Sequence, residues 1–143
     1  MTADSQEIHD FLRRNRLGVL AAARKDGSPQ QTLVQHAQVG ESLIISTRAT
    51  SYKYKNVKRN PKVAYAVVEG PAIVTVYGTC EVVEDPQQVL DLHKGLYAAR
   101  GAVPPDDATL GERLRSEQRV VLRIRPRKYL PVRLGDAPSR RQG

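Results

Sequence analysis

Short apolar runs closed by glycine or proline recur along this chain at intervals too tight for a helical bundle. Residues 17–23 (LGVLAAA) read as a buried strand, and the following RKDGSP holds Asp26-Gly27 and Pro29, the chemistry of a tight reversal. The spacing therefore predicts that 30–37 return antiparallel to it. Gly40-Glu41 marks another turn before 42–47, where Leu43, Ile44 and Ile45 form a third strand. Residues 62–68 give a fourth. Beyond the break at Gly70-Pro71, residues 72–83 make a long fifth strand in which Gly78 signals a bend or bulge. Residues 119–126 alternate in character and supply the sixth.

Helical signals are fewer. Ile8, Phe11 and Leu12 suit a short amphipathic helix over 9–16. Thr50 or Ser51 caps a second helix running to Arg59, where Asn60-Pro61 ends it. Pro86 opens a third that carries Val89, Leu92, His93 and Leu96 at helical spacing through Arg100, and Gly101 stops it. Asp106 and Asp107 favour the start of a fourth, over 109–116. Six mostly antiparallel strands with these helices predict a small β-barrel with helical decorations. No linker divides the chain, so one domain is expected over 1–134, with 135–143 a frayed tail. A barrel of this size covers its own edges poorly. A homodimer would bury the outward positions of the fifth strand, Val74 and Val76 in one register or Ile73 and Tyr77 in the other.

The charge is local. Lys and Arg number 23 against 15 Asp and Glu, a formal +8, yet residues 69–112 are acidic on balance. Residues 48–62 hold Arg48, Lys53, Lys55, Lys58, Arg59 and Lys62 with no acid among them. Charges unpaired within their own segment attract phosphate or a polyanionic cofactor. The basic C-terminal stretch reads instead as a solvated face. The single Cys80 closes no bridge within the chain and reads as a small buried hydrophobe, and no Cys/His spacing suits zinc, so no metal is expected. With no apolar run long enough to span a bilayer and a polar, acidic start, the expected location is the cytoplasm.

Several chemistries are disfavoured by what the sequence lacks. It has neither a phosphate-binding P-loop nor a Rossmann glycine fingerprint, and no nucleophile elbow. Its histidines, His9, His36 and His93, fall in three separate elements. His36, near the end of the second strand, is the candidate proton donor; His93 reads as helix packing and His9 as solvent-facing. Tyr52 and Tyr54 flank Lys53, a pattern that also suits single-stranded nucleic acid, but one Phe and no Trp leave no stacking platform, so nucleic acid is not the expected partner.

Taken in order, LGVLAAARKDGSPQ, SLIISTRATSYKYKNVKRNPKVAYAVVEG, VYGTCEVV and RVVLRIRP resemble the flavin-binding split-barrel superfamily related to pyridoxamine 5'-phosphate oxidase, over roughly residues 8 to 133. The most diagnostic piece is KYKNVKRNP at Lys53 to Pro61. The resemblance implies a mainly β (α+β) fold, a six-stranded antiparallel split β-barrel with flanking helices, working as a homodimer with cofactor sites at the subunit interface. It implies that Lys53 and Lys55 bind phosphate, that Asn56 holds the helix start or a cofactor oxygen, and that Ser46 and Thr47 line the ring. Thr32, Gln35 and Ser51 join that set, with Tyr77 approaching from the partner. Phosphate oxidases of the superfamily carry an Arg in the second strand and Ser-Arg-Lys before the helix; here Thr32 and Ser51-Tyr52-Lys53 stand in those places. The strand from Pro29 to Gln35 (PQQTLVQ) instead resembles the branch that uses the deazaflavin coenzyme F420, a phosphodiester with a polyglutamate tail. The implied activity is hydride transfer between the reduced deazaflavin and an electron-poor small molecule. The alternatives are an FMN-dependent oxidoreductase of the same fold, or a non-catalytic carrier of cofactor or haem.

Overall fold

In the computed structural model, which describes residues 5–136, seven antiparallel strands form one sheet in the order β2-β1-β5-β6-β7-β4-β3. The elements run α1 Ser5–Arg14, β1 Leu17–Ala23, β2 Pro29–Gln35, β3 Ala37–Val39, β4 Ser42–Arg48, α2 Tyr52–Arg59, β5 Lys62–Glu69, β6 Ala72–Val83, α3 Pro86–Ala99, α4 Asp107–Ser116 and β7 Arg119–Val132. A short 3-10 turn, Leu134–Asp136, follows. Of the tail expected to fray, 137–143 lie outside the described residues.

The seventh strand comes from a split. The single return strand expected over 30–37 is broken at His36, whose amide bonds to the Arg16 carbonyl at 2.9 Å. Before the break β2 pairs with β1; after it β3 pairs with β4. Because β2 and β3 are the two ends of the sheet, this one residue carries the chain from one edge to the other and closes the barrel. The last strand is also longer than expected, running through Pro126 to Val132. Proline lacks a ladder donor, and Pro126 is tolerated because it faces Gly78 where the register slips between Tyr77 and Gly78. A Cβ at residue 78 would collide with the Arg125 carbonyl, which explains the glycine.

Two cores result. Phe11, Leu12, Leu20, Leu43, Ile45, Tyr65, Val74, Val76, Leu122 and Ile124 fill the barrel. A second cluster under α3 and α4 joins Ile44, Val89, Leu92, Leu96, Leu110, Leu114 and Val121. β4 is thus buried on both faces, with Leu43 and Ile45 inward and Ile44 toward the helices, which is why its sequence is a continuous apolar run. Val74 and Val76 lie wholly inside the chain, so the register that would have turned them outward is corrected; Ile73, Thr75 and Tyr77 face out.

That outward face is apolar across five strands. Leu33 pairs with Val19, Val19 with Ala66, Ala66 with Thr75 and Thr75 with Leu130. Leu33 is 68% exposed, Val68 57% and Leu17 53%.

Gly18 leaves room for a neighbour, since a Cβ there would run into the Tyr65 ring. Gly18→Ala is expected to lower stability by about 1–3 kcal/mol, the usual cost of overpacking, read as a shifted urea midpoint.

Candidate functional site

The site is built around the start of α2. Ser51 is in an extended conformation and its hydroxyl accepts from the Tyr54 amide at 3.2 Å, capping the helix as expected. Thr47 is buried, and its hydroxyl lies 3.0 Å from that of Ser51. These two side chains organise the turn from β4 into α2. Two residues apart on a helix is about 200° of rotation, so Lys53 and Lys55 leave on different sides. They line different cavities.

The first cavity, about 500 Å³, opens between β2, β4, α3, α4 and the start of β7. Gln35, Ser46 and Lys53 line it, as do Arg100, Arg113 and Arg119. Its one acid, Glu117, accepts from Arg119 Nε at 2.9 Å. Arg113 donates to the Tyr97 hydroxyl at 3.2 Å and Arg100 to the Gln35 side-chain oxygen at 3.2 Å. Lys53 makes no hydrogen bond or ion pair among the described residues. Burial, and then the like charge of Arg119, hold its ammonium below the ordinary lysine range. An anion placed there would relieve both effects.

His93 also lines this cavity. It is 6% exposed, and its Nε2 lies 2.7 Å from the Ser46 hydroxyl while Nδ1 lies 2.8 Å from the Val89 carbonyl. The packing expected of it is present, with a polar contact in the site besides.

The second cavity, about 430 Å³, is walled by Arg24, Lys25, Lys55 and Arg59 with no acid in its lining. Asn56 donates to Gln30 at 2.6 Å and accepts from Arg59 at 2.8 Å, and Arg59 also reaches the Ala23 carbonyl. Asn56 therefore ties α2 to β2 and holds a basic cleft open. Lys58 belongs to neither cavity: it pairs with Glu84 at 2.9 Å, so the acid-free segment finds one partner through the fold.

The remaining expected residues are dispersed. Thr32, half-buried on β2, lines neither cavity, and Tyr77 stands on the outward face of β6. His36 is 1% exposed. Its Nε2 donates to the Leu12 carbonyl at 2.8 Å and its Nδ1 accepts from the Tyr65 hydroxyl, so both nitrogens are committed inside the barrel and the proton-donor expectation is corrected. His9 is not simply solvent-facing: Gln38 lies 3.2 Å from its Nδ1 and it packs on Tyr129. Burial pushes the Cys80 thiol up to about 12, in keeping with a packed side chain.

Desolvation holds both His36 and His93 below the ordinary imidazole range. The unfolded chain then binds protons that the folded chain refuses once the pH drops below about 6.5. Stability is expected to be flat above that point and to fall below it. Urea melts between about pH 7.5 and 5 should show this, with a shallower fall in His36→Gln.

Nothing in the sequence points directly to His93, Arg100, Arg113 and Arg119 as neighbours of Lys53. One signal exists. Ser46 follows Ile44 on the helix-facing side of β4, and a polar group there needs a partner from the helix above.

The antiparallel barrel with its flanking helices matches the pyridoxamine 5'-phosphate oxidase-like split-barrel fold, and a cation-lined cavity borders its apolar sheet face. Residues 5–133 match the family model described as pyridoxamine 5'-phosphate oxidase, and the chain belongs to that family, which includes oxidoreductases. No curated protein matches it. Among solved structures it is similar to a conserved hypothetical protein of Mycobacterium tuberculosis, with 25% identity over 100% of this chain and 94% of that one and a TM-score of 0.81. It is also similar to a protein described as an F420 reductase, at 28% identity over 90% and 98% of the two chains and a TM-score of 0.67. A FAD-binding protein of Mesorhizobium loti, at 21% identity over 92% and 95% and a TM-score of 0.66, shares the fold. No helix among the described residues is long and apolar enough to cross a membrane.

Proposed function

We propose that this protein is a homodimeric oxidoreductase that uses coenzyme F420 and passes hydride between the reduced deazaflavin and an electron-poor small molecule. The observation that carries the reading is Lys53, an unpartnered, part-buried ammonium set against Arg119 at the wall of a cavity of ligand size. The donor set fits an elongated anion. Lys53, Arg119, Arg113 and Arg100 serve one cavity, and Lys55, Arg59, Arg24 and Lys25 serve the cleft on the other side of α2. A phosphodiester bearing a polyglutamate tail has charge for both, and the 28% identity to an F420 reductase supports the choice.

When bound, the deazaflavin supplies the two-electron chemistry. The chain's own residues bind and orient. Lys53 and Arg119 neutralise anionic oxygens, Gln35 and Ser46 offer polar contacts, and Leu33 and Leu96 exclude water along the apolar side. Leu33 belongs at once to this lining and to the exposed sheet face, so a second copy docked on that face would close the cavity mouth. Tyr77 would then belong to the same interface.

FMN is the second reading, favoured by the arginines at 100, 113 and 119, which line the first cavity with Lys53 and offer a phosphate charge-assisted donors. Turnover separates the two. Reduced F420 mixed with the protein and a panel of quinones, nitroaromatics and enones should regain its oxidised absorbance with at least one acceptor. A yellow protein from a host that makes no deazaflavin, inert toward reduced F420 and releasing FMN on denaturation, would establish FMN instead.

A further inference from the structure

We infer that His93 fixes the direction of the Ser46 hydroxyl and so makes the cationic cavity select ligands that carry an N–H or O–H donor beside an anionic group. The inference rests on the reading of this cavity as the ligand site, but not on which redox cofactor occupies it.

The Val89 carbonyl can only accept, so the 2.8 Å contact places a proton on His93 Nδ1. In the neutral ring Nε2 is then bare, and Ser46 at 2.7 Å must spend its one proton on it. What Ser46 presents to the cavity is a lone pair. The charged groups around it are donors: Lys53 from α2, Arg119 from β7, Arg113 from α4 and Arg100 beyond α3. The other side-chain acceptors already meet cations, Glu117 Oε1 taking Arg119 Nε and the Gln35 oxygen taking Arg100, whereas the Ser46 lone pair has none. An anion satisfies the cations, but a ligand with acceptors alone would set lone pair against lone pair at Ser46. A ligand with an adjacent N–H or O–H satisfies both.

The neutral ring is what the surroundings favour. Burial and the charges of Arg119 and Arg100 oppose a proton on His93, against the Val89 carbonyl and Glu117; β3 contributes only Ala37 and Val39 to this side of α3, and Lys94 is paired with Asp107. Protonation of Nε2 would turn the Ser46 proton toward the cavity and erase the selectivity.

Two probes separate these states: orotate, a carboxylate with ring N–H donors, and its 1,3-dimethyl derivative, which keeps the carboxylate and lacks the donors. Calorimetric titration of the full chain at neutral pH should give orotate an advantage of about tenfold, the size of one hydrogen bond to an otherwise unpaired group. The advantage should vanish in Ser46→Ala. It should also shrink in the wild-type protein as acid protonates His93, followed through its ring ¹⁵N signals, which at neutral pH should show Nδ1 protonated and Nε2 bare. Equal affinities, no binding of either probe, or a proton on Nε2 at neutral pH would overturn the inference. A protein that turns over reduced F420 without discriminating the probes loses this inference alone; one that discriminates them but shows no redox turnover loses only the proposed activity.

Discussion

Lys53→Ala should weaken cofactor binding by roughly ten- to a hundredfold, the loss of one charge-assisted hydrogen bond worth about 1.5–3 kcal/mol. The fold should not suffer. Lys53 has no partner to abandon, and removing it relieves the like charge of Arg119, so the melting temperature should hold or rise. Lys55→Ala is the informative companion because its side chain serves the cleft on the other side of α2. If the polyglutamate tail lies there, Lys55→Ala weakens F420 while leaving FMN binding nearly unchanged. Fluorescence titration of both variants with both cofactors reads the difference. Equal, negligible losses in Lys53→Ala would remove the anion site.

The second large effect is expected from Leu33→Glu. Leu33 sits on β2 in the apolar row that continues through Val19, Ala66 and Thr75 to Leu130, and it also lines the first cavity. Two-fold symmetry would place the new carboxylate in the interface twice, each copy set against the partner's apolar face and drawing on the cavity cations meant for the ligand, at a cost of several kcal/mol. The variant should sediment as a folded monomer with an unchanged circular dichroism spectrum and should fail to bind the cofactor. A variant that keeps the wild-type mass and affinity would show that this face is not the subunit interface.

The strand pattern is legible in the sequence because the barrel's elements are local. β1 and β6 begin and end where the turn residues place them, Ser51 caps α2, and Gly78 lies at the bulge. What escapes is tertiary. The kink at His36 is made by bonds to Leu12 and Tyr65, remote in the chain, and sequence periodicity continues smoothly through it. Pro126 reads as a stop, yet the bulge opposite Gly78 lets β7 pass. In the site, Lys53 is visible as an unpaired cation, whereas its separation from Lys55 follows from helical geometry. Its arginine neighbours arrive from the C-cap of α3, from α4 and from β7, elements whose own sequences give no hint of a shared cavity. His93 reads as packing from its spacing with Leu92 and Leu96, and only the contact with Ser46 reveals its second role.

The most direct test is a parallel titration of the purified protein with coenzyme F420 and with FMN, following quenching of each fluorophore. Saturable F420 binding at micromolar concentration or below, tighter than FMN and weakened by Lys53→Ala, is the predicted result; tighter binding of FMN, or no binding of F420 at all, would contradict it.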